Sequence, residues 1–317
     1  MSVALRRLGA SGLEVFPLAL GGNVFGWTAD EATSFRILDR YVAAGGNLID
    51  TADVYSRWAP GNQGGESETI LGRWLERSGQ RERVLIATKV GMEMGPTRKG
   101  LAPAYIRSEV QESLRRLRID RIDLYQAHVD DEATPLEESL GTFAELIAEG
   151  RVRALGASNY RADRLEESLR LSRARGLPSF ASLQPHYNLY DRAEYEAALE
   201  AVCARHGLGV IPYASLASGF LTGKYRSVKD FGKSARGPRM RRLLNERGLR
   251  ILDVLHEVAG ERGATPAQVA LAWLLTRPTV TAPIASATSV EQLEELLGGT
   301  VLQLGRSDLD RLERASA

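Results

Sequence analysis

The sequence predicts a (β/α)8 TIM barrel of the α/β class, preceded by a β-hairpin. Eight short apolar runs are spaced along the 317 residues, each too short for a helix and most bounded by turn residues. Amphipathic helical patterns fill the gaps, which implies parallel strands with helices outside. The count of eight favours a closed barrel over an open sheet, and about 250 residues suffice for one. An open dinucleotide-binding sheet would want G-x-G-x-x-G after its first strand; "GGNVFG" (21–26) has the wrong spacing and no helix directly after it.

The elements follow in chain order. "VALRRLGASGLEVF" (3–16) reads as the hairpin, with its turn at Gly9–Gly12. The strands are expected in "PLALGG" (17–22), "NLIDTA" (47–52), "VLIATKV" (84–90), "DLYQAHV" (123–129), "ALGASN" (154–159), "SLQPHYN" (182–188), "GVIPYAS" (209–215) and "TAPIASA" (281–287). "PAYIRSEVQESLRRL" (103–117) reads as a helix: Pro103 sits where a missing N–H is harmless, and Ile106, Val110, Leu114 and Leu117 form one stripe. "TPLEESLGTFAELIAEG" (134–150) offers Thr134 as N-cap, Pro135 in the first turn and Gly150 just past the end. "TPAQVALAWLL" (265–275) starts the same way and stops before Pro278. The longest loop is expected over 216–247, and a single domain over 1–317.

Composition narrows the function. The 41 basic and 40 acidic residues nearly cancel, so neither a nucleic acid nor an anionic membrane is an expected partner. A single cysteine, Cys203, allows no intrachain disulfide and fits a reducing cytoplasm. The first fifteen residues lack a signal-peptide pattern, and no uncharged apolar run approaches the roughly 18 residues that span a bilayer. The four histidines (His128, His186, His206 and His256) form no HxH or HExxH pair, so no metal is expected. No feature indicates an oligomeric state.

Barrel chemistry sits at the C-terminal ends of strands. Those ends carry Asp50 and then Tyr55, Lys89, His128, Ser158 with Asn159, Gln184, Tyr213 with Ser215, and Ser286. Ionisable groups are rare on buried strands unless paired. Here an acid, a phenol, an amine and an imidazole come from three consecutive strands. The expected chemistry is proton transfer by Tyr55, with Lys89 lowering a phenol pKa that is otherwise about 10 and Asp50 aiming the lysine. A phenol that protonates a carbonyl oxygen needs an electron pair arriving at carbon, and a nicotinamide hydride supplies one. Lys89 alone also suits Schiff-base chemistry, as in an aldolase. Trp27 and Trp58, after strands one and two, are expected substrate contacts at the pocket mouth. Segment 224–242 carries eight basic residues against Asp230, where barrels often bind phosphate. Trp74 and Trp273 are expected to pack, His206 to end a helix, His256 to lie on the surface and His186 to be structural.

"NLIDTADVY", "TKV", "DLYQAHVD", "GASNY", "QPHYNLY", "IPYASLASGFLTGKY" and "SATSVEQLEEL" resemble, in this order, the aldo-keto reductases. The resemblance implies NADP(H) in an extended pose and a tetrad of Asp50, Tyr55, Lys89 and His128. It implies that Ser158, Asn159 and Gln184 hold the nicotinamide carboxamide and that Tyr213 stacks on the ring. It implies Ser215, Leu216, Gly219, Leu221 and Lys224 at the pyrophosphate, and Ser286, Thr288, Gln292 and Glu295 at the adenosine. The activity implied is reduction of a small aldehyde or ketone, with a nucleotide-binding regulatory subunit as the other class on this barrel. Where the family often has a base facing the 2′-phosphate, "SATS" (286–289) has none, and Leu296 replaces a common asparagine. A residue of 224–242 is then expected to supply that charge; NADPH is the expected cofactor, and NADH stays open.

Overall fold

The computed structural model describes residues 3–317; Met1 and Ser2, the start of the domain expected over 1–317, lie outside the described residues. β1 (Arg6–Arg7) and β2 (Glu14–Val15) pair antiparallel as the expected hairpin. Gly9 turns it with φ +51°, and a Cβ there would meet Ala181 O at 2.1 Å, so only glycine fits. Leu8, Leu13 and Val15 pack against Ala19, Leu48, Ala87, Leu124, Ala154 and Ile211 inside the sheet. The hairpin thus closes the N-terminal end with apolar side chains and leaves the opposite rim for polar ones.

The eight expected strands are β3 (Ala19–Gly21), β4 (Leu48–Asp50), β5 (Leu85–Val90), β6 (Ile122–Ala127), β7 (Val152–Ser158), β8 (Phe180–Gln184), β9 (Gly209–Val210) and β10 (Ile284–Ala285). All pair parallel in the order β10-β3-β4-β5-β6-β7-β8-β9. The ladder's two ends meet: Thr281 N–H donates to Val210 O at 2.8 Å and Ile284 N–H to Pro212 O at 2.9 Å. Most ladders are shorter than the apolar runs because the C-terminal parts of those runs leave the sheet. Residues 51–52, 185–188 and 211–215 instead begin rim loops.

Between the strands lie α1 (Glu31–Ala43), α2 (Glu66–Ser78), α3 (Pro103–Leu117), α4 (Leu136–Ala148), α5 (Ala162–Arg175), α6 (Glu200–His206), α7 (Glu246–Arg262) and α8 (Pro266–Leu275); α9 (Val290–Gly298) and α10 (Arg306–Ser316) follow β10. α3 has the expected bounds and buries the expected stripe. Thr265 caps α8 in a capping box with Gln268. Thr134 does not cap α4. Its hydroxyl donates to Asp131 Oδ2 at 2.7 Å, which closes the turn before the helix, and Pro135 takes the cap position. Loop 216–247 contains three 3-10 turns, at Ala217–Thr222, Val228–Lys233 and Gly237–Arg242. Trp74 and Trp273 are fully buried, and His256 is exposed on α7.

β3 and β4 are held in register from behind by Tyr41 of α1. Its buried hydroxyl lies 2.6 Å from Leu18 O and accepts the Leu48 N–H at 3.3 Å. The ring lies where a Cβ on Gly46 would stand, 2.3 Å from its edge. Tyr41→Phe removes that link and leaves buried backbone groups without a partner. Urea unfolding should show a loss of about 1–3 kcal/mol.

Candidate active site

β4 ends at Asp50, and β5 carries Lys89 two residues beyond Ala87, the register partner of Asp50. Both side chains are almost fully buried, Lys89 at 0 % exposure and Asp50 at 1 %. The Lys89 ammonium donates to Asp50 Oδ2 at 2.7 Å, Thr51 O at 2.7 Å and Tyr55 Oη at 2.8 Å. An ammonium has three N–H groups, and each has a partner here. Tyr55 reaches this cluster from the loop after β4, where its hydroxyl donates to Asp50 Oδ2 at 3.2 Å. Ser56, at φ +69°, turns the next residue away and ties its hydroxyl to Phe25 O at 2.6 Å.

The other Asp50 oxygen accepts Gln184 Nε2 at 2.9 Å and Gln126 Nε2 at 3.3 Å. Gln126 is absent from the residues picked out by sequence. Its signal was present: it lies two residues before His128 on β6, so both point to the same face. Gly156 of β7 makes room for it, since a Cβ there would meet Ser182 Oγ at 2.6 Å and Gln126 Cγ at 2.9 Å. His128 follows β6, with its ring 6.0 Å from the Tyr55 ring. Its Nδ1 is buried without a partner among the described residues. The structure therefore brings Asp50, Tyr55, Lys89 and His128 together.

Charge states follow from burial. Burial, then the Asp50 carboxylate, pushes the Tyr55 phenol well above its usual range. The expected lowering by Lys89 is thus reversed. Burial also lowers Lys89, against the pull of Asp50. Burial and the Lys89 charge push His128 well below its ordinary value. Near neutral pH the phenol is protonated and the imidazole is neutral. Such a site can give a proton from Tyr55 and offer an imidazole N–H beside it.

The remaining expected site residues line the rim from β7 to β10. Asn159, at φ +55°, donates to His128 O at 2.9 Å and accepts Tyr213 Oη–H at 2.8 Å. The Ser158 hydroxyl donates to Gln184 O at 2.8 Å, and Gln184 itself is turned onto Asp50. Beyond β9, Ser215 donates to Pro212 O at 3.0 Å. The chain there takes positive φ at Ala214, Ala217, Ser218 and Gly219, three of them not glycine, a strain that sequence reading missed. Leu216 is partly buried and Leu221 fully buried against the core, so the Leu221 side chain faces away from the rim. A Cβ on Gly219 would lie 3.7 Å from Lys224 Nζ. After β10, Ser286 donates to Asn23 Oδ1 at 2.6 Å, while Thr288 N–H and hydroxyl both donate to Gln292 Oε1. Glu295 lies one turn along α9, where its carbonyl accepts Gln268 Nε2 at 3.0 Å.

The basic segment is not uniformly available. Arg226 pairs with Asp253, Lys233 with Asp230 at 2.7 Å and Arg242 with Asp191 at 3.1 Å. The Arg236 guanidinium has no carboxylate partner among the described residues and lies 5.3 Å from the Trp27 ring centroid. Burial and the Arg239 charge lower its pKa, and it lies within electrostatic reach of Tyr55. Trp27 meets Trp58 edge-on at 5.7 Å, and Trp58, 44 % exposed, lies 6.0 Å from Tyr55. The two tryptophans form an aromatic wall beside the phenol. A groove of ≈ 960 Å³ lies elsewhere, lined by Arg98, Tyr105, Glu109 and Arg116 outside the barrel, and holds none of these residues.

Comparison with known proteins agrees with this geometry. The family model described as Aldo/keto reductase family matches residues 17–317. The chain is 35% identical to the uncharacterized oxidoreductase YrpG of Bacillus subtilis (strain 168), covering 96% of this chain and 93% of the relative. It is 32% identical to Protein tas of Escherichia coli (strain K12), with 97% and 96% covered. It is also 32% identical to the L-glyceraldehyde 3-phosphate reductase of that strain, with 92% and 85% covered.

Removing one partner of a buried ion pair leaves the other uncompensated. Lys89→Met should therefore destabilise the fold by about 3–5 kcal/mol in urea unfolding. Lys89→Met combined with Asp50→Leu should recover part of that loss, because no buried charge then remains.

Proposed function

The chain belongs to the aldo/keto reductase family and is an NAD(P)H-dependent oxidoreductase; from that premise we propose that it reduces aldehydes or ketones with NADPH, using Tyr55 as proton donor. The observation that carries the reading is the Lys89 ammonium, buried and held between Asp50 and the Tyr55 phenol. The same hydrogen bonds disfavour the aldolase alternative, because each lysine N–H is occupied and the amine has no exposure. The complete tetrad disfavours a purely regulatory subunit. The lone, buried Cys203 supports a reducing cytoplasm.

The polar arc from β7 to β10 fits an elongated dinucleotide. Asn159, Ser158 and Gln184 would hold the carboxamide and Tyr213 the ring face. Ser215, Leu216, Gly219 and Lys224, with only the backbone at Leu221, would hold the pyrophosphate, with Arg236 adding charge. Ser286, Thr288, Gln292 and Glu295 would surround the adenosine. When bound, the dihydronicotinamide supplies the hydride for the carbonyl carbon. Tyr55 gives its proton to the carbonyl oxygen. The ammonium 2.8 Å away stabilises the phenolate as it forms, and Asp50 balances the ammonium. His128, held neutral, keeps an N–H to donate to the same oxygen and so orients the carbonyl. Trp27 and Trp58 would cover the substrate body.

Tyr55→Phe should lower kcat about 10²- to 10⁴-fold, as expected for loss of a general acid. Fluorescence titration should show NADPH binding nearly unchanged. Full activity in that variant would refute the assignment.

Charge for a 2′-phosphate would have to come from outside segment 286–296. That segment has no base; the Ser289 hydrogen bond, with a smaller contribution from the Arg36 charge of α1, holds the Glu291 carboxyl below its usual range, which makes Arg36 a candidate beside the basic residues of 224–242. Arg236 lies near Tyr55 and Trp27, at the other end of the arc. NADPH should bind about tenfold more tightly than NADH, the worth of roughly one good charged contact. Arg236→Ala should weaken both nucleotides by a similar factor, because both carry the pyrophosphate. Equal affinities in the unaltered protein would overturn the NADPH preference.

A further inference from the structure

Asp191 is a carboxylate shared by two structures that sequence places far apart. From one side it accepts Arg242, the last residue of the third 3-10 turn, at 3.1 and 3.3 Å in a two-pronged contact. From the other it faces His186 Nε2 at 3.4 Å. Asn188 also donates to it at 3.3 Å, and buried Asn188 ties this corner to Ala214 O at 3.1 Å. Arg242 lies six residues after Arg236, so the contact with Asp191 sets where the basic loop is anchored.

The His186 ring stacks on Tyr213 with centroids 5.3 Å apart and planes 23° apart. The backbones run side by side there, with Tyr213 N–H donating to Pro185 O at 2.9 Å. Tyr213 in turn donates to Asn159, and Asn159 to the carbonyl of His128. A continuous contact path therefore runs from Arg242 through Asp191, His186, Tyr213 and Asn159 to the His128 backbone. A near-parallel stack fixes the tilt of a half-buried ring that has one hydrogen bond at its far end.

We propose that His186 and Asp191 are positioning residues: docking of the basic loop through Arg242 onto Asp191 holds His186 against Tyr213 and so sets the aromatic platform beneath the nicotinamide. The inference rests on the reading of Tyr213 as that platform. It makes the grip on the dinucleotide phosphates and the setting of its reactive ring one event rather than two. A dinucleotide gripped by the loop then meets a platform already set, whereas an undocked loop leaves the ring free to tilt.

The readout is the emission of bound NADPH, which reports the surroundings of the dihydronicotinamide. It is recorded with dissociation constants and with kcat on 4-nitrobenzaldehyde. Tyr213→Leu should shift the emission. His186→Leu should shift it in the same direction and lower kcat about fivefold, while His186→Phe, which keeps a ring on Tyr213, should recover most of both. Arg242→Gln should also shift the emission, though it lies remote from the platform, and should add nothing further in the His186→Leu background. A merely structural His186 would lower Tm in both its variants and leave the emission in place. Unchanged emission in Arg242→Gln and His186→Leu, beside a clear shift in Tyr213→Leu, overturns the coupling alone. Unchanged emission in Tyr213→Leu as well overturns the platform reading and the coupling with it.

Discussion

A lysine and an aspartate, both out of contact with water, meet inside the barrel, and most of the rim is arranged to make that tolerable. Taking two charges out of water costs several kcal/mol each, at order of magnitude, unless the remaining hydrogen-bonding capacity is met. Lys89 meets it with Asp50, Thr51 O and Tyr55. Asp50 meets it with Gln126 and Gln184 from β6 and β8. Gln126 can take its place because Gly156 of β7 has no side chain to fill it. The apolar hairpin at the opposite end keeps water from the pair from below. One buried ion pair thus explains side-chain choices on five consecutive strands.

The pair also decides what Tyr55 is at rest. Sequence reasoning gave Asp50 only the task of aiming Lys89 and expected a lowered phenol pKa. In the fold the ammonium is shared with Asp50, whose charge opposes phenolate formation, and burial adds to that opposition. The lysine's charge is committed before the phenol titrates. The resting phenol therefore keeps its proton, as the proposed role of Tyr55 in carbonyl reduction requires. The opposite direction would begin from a phenolate that this environment disfavours.

Legibility in the sequence followed the range of the cause. Asp50, Lys89 and His128 stood out because ionisable residues interrupt apolar strands, and the structure does bring them together. α3 was readable to the residue because its stripe and its proline are local signals. Thr134 was misread because its hydroxyl had a nearer partner in Asp131. Strand ends were overextended because apolar character continues into rim loops that no longer pair. Gln126, the role of Gly156, the positive φ values at Ala214, Ala217, Ser218 and Gly219 and the Asp191 junction were not picked out. Each depends on which strands become neighbours, and spacing along the chain does not carry that.

The rim divides the work by rigidity. Asp50, Lys89, Gln126 and Gln184 stand on hydrogen-bonded strands, and Tyr55 and His128 lie within five residues of one. Proton transfer depends on tenths of an ångström, so groups that carry it gain from a backbone the ladder holds. The aromatic wall stands instead on loops. Trp58 is exposed, and Trp27 contacts Arg236 of the long basic segment. Loop residues can change without moving Asp50 or Lys89, so on the proposed reading the carbonyl compound accepted could vary while Tyr55 stays in place. Arg236 complicates that separation, because it leans on Trp27 while carrying a charge that would suit a phosphate. On the proposed reading, nucleotide and carbonyl compound would meet at this one side chain, whose guanidinium lies 5.3 Å from the Trp27 ring.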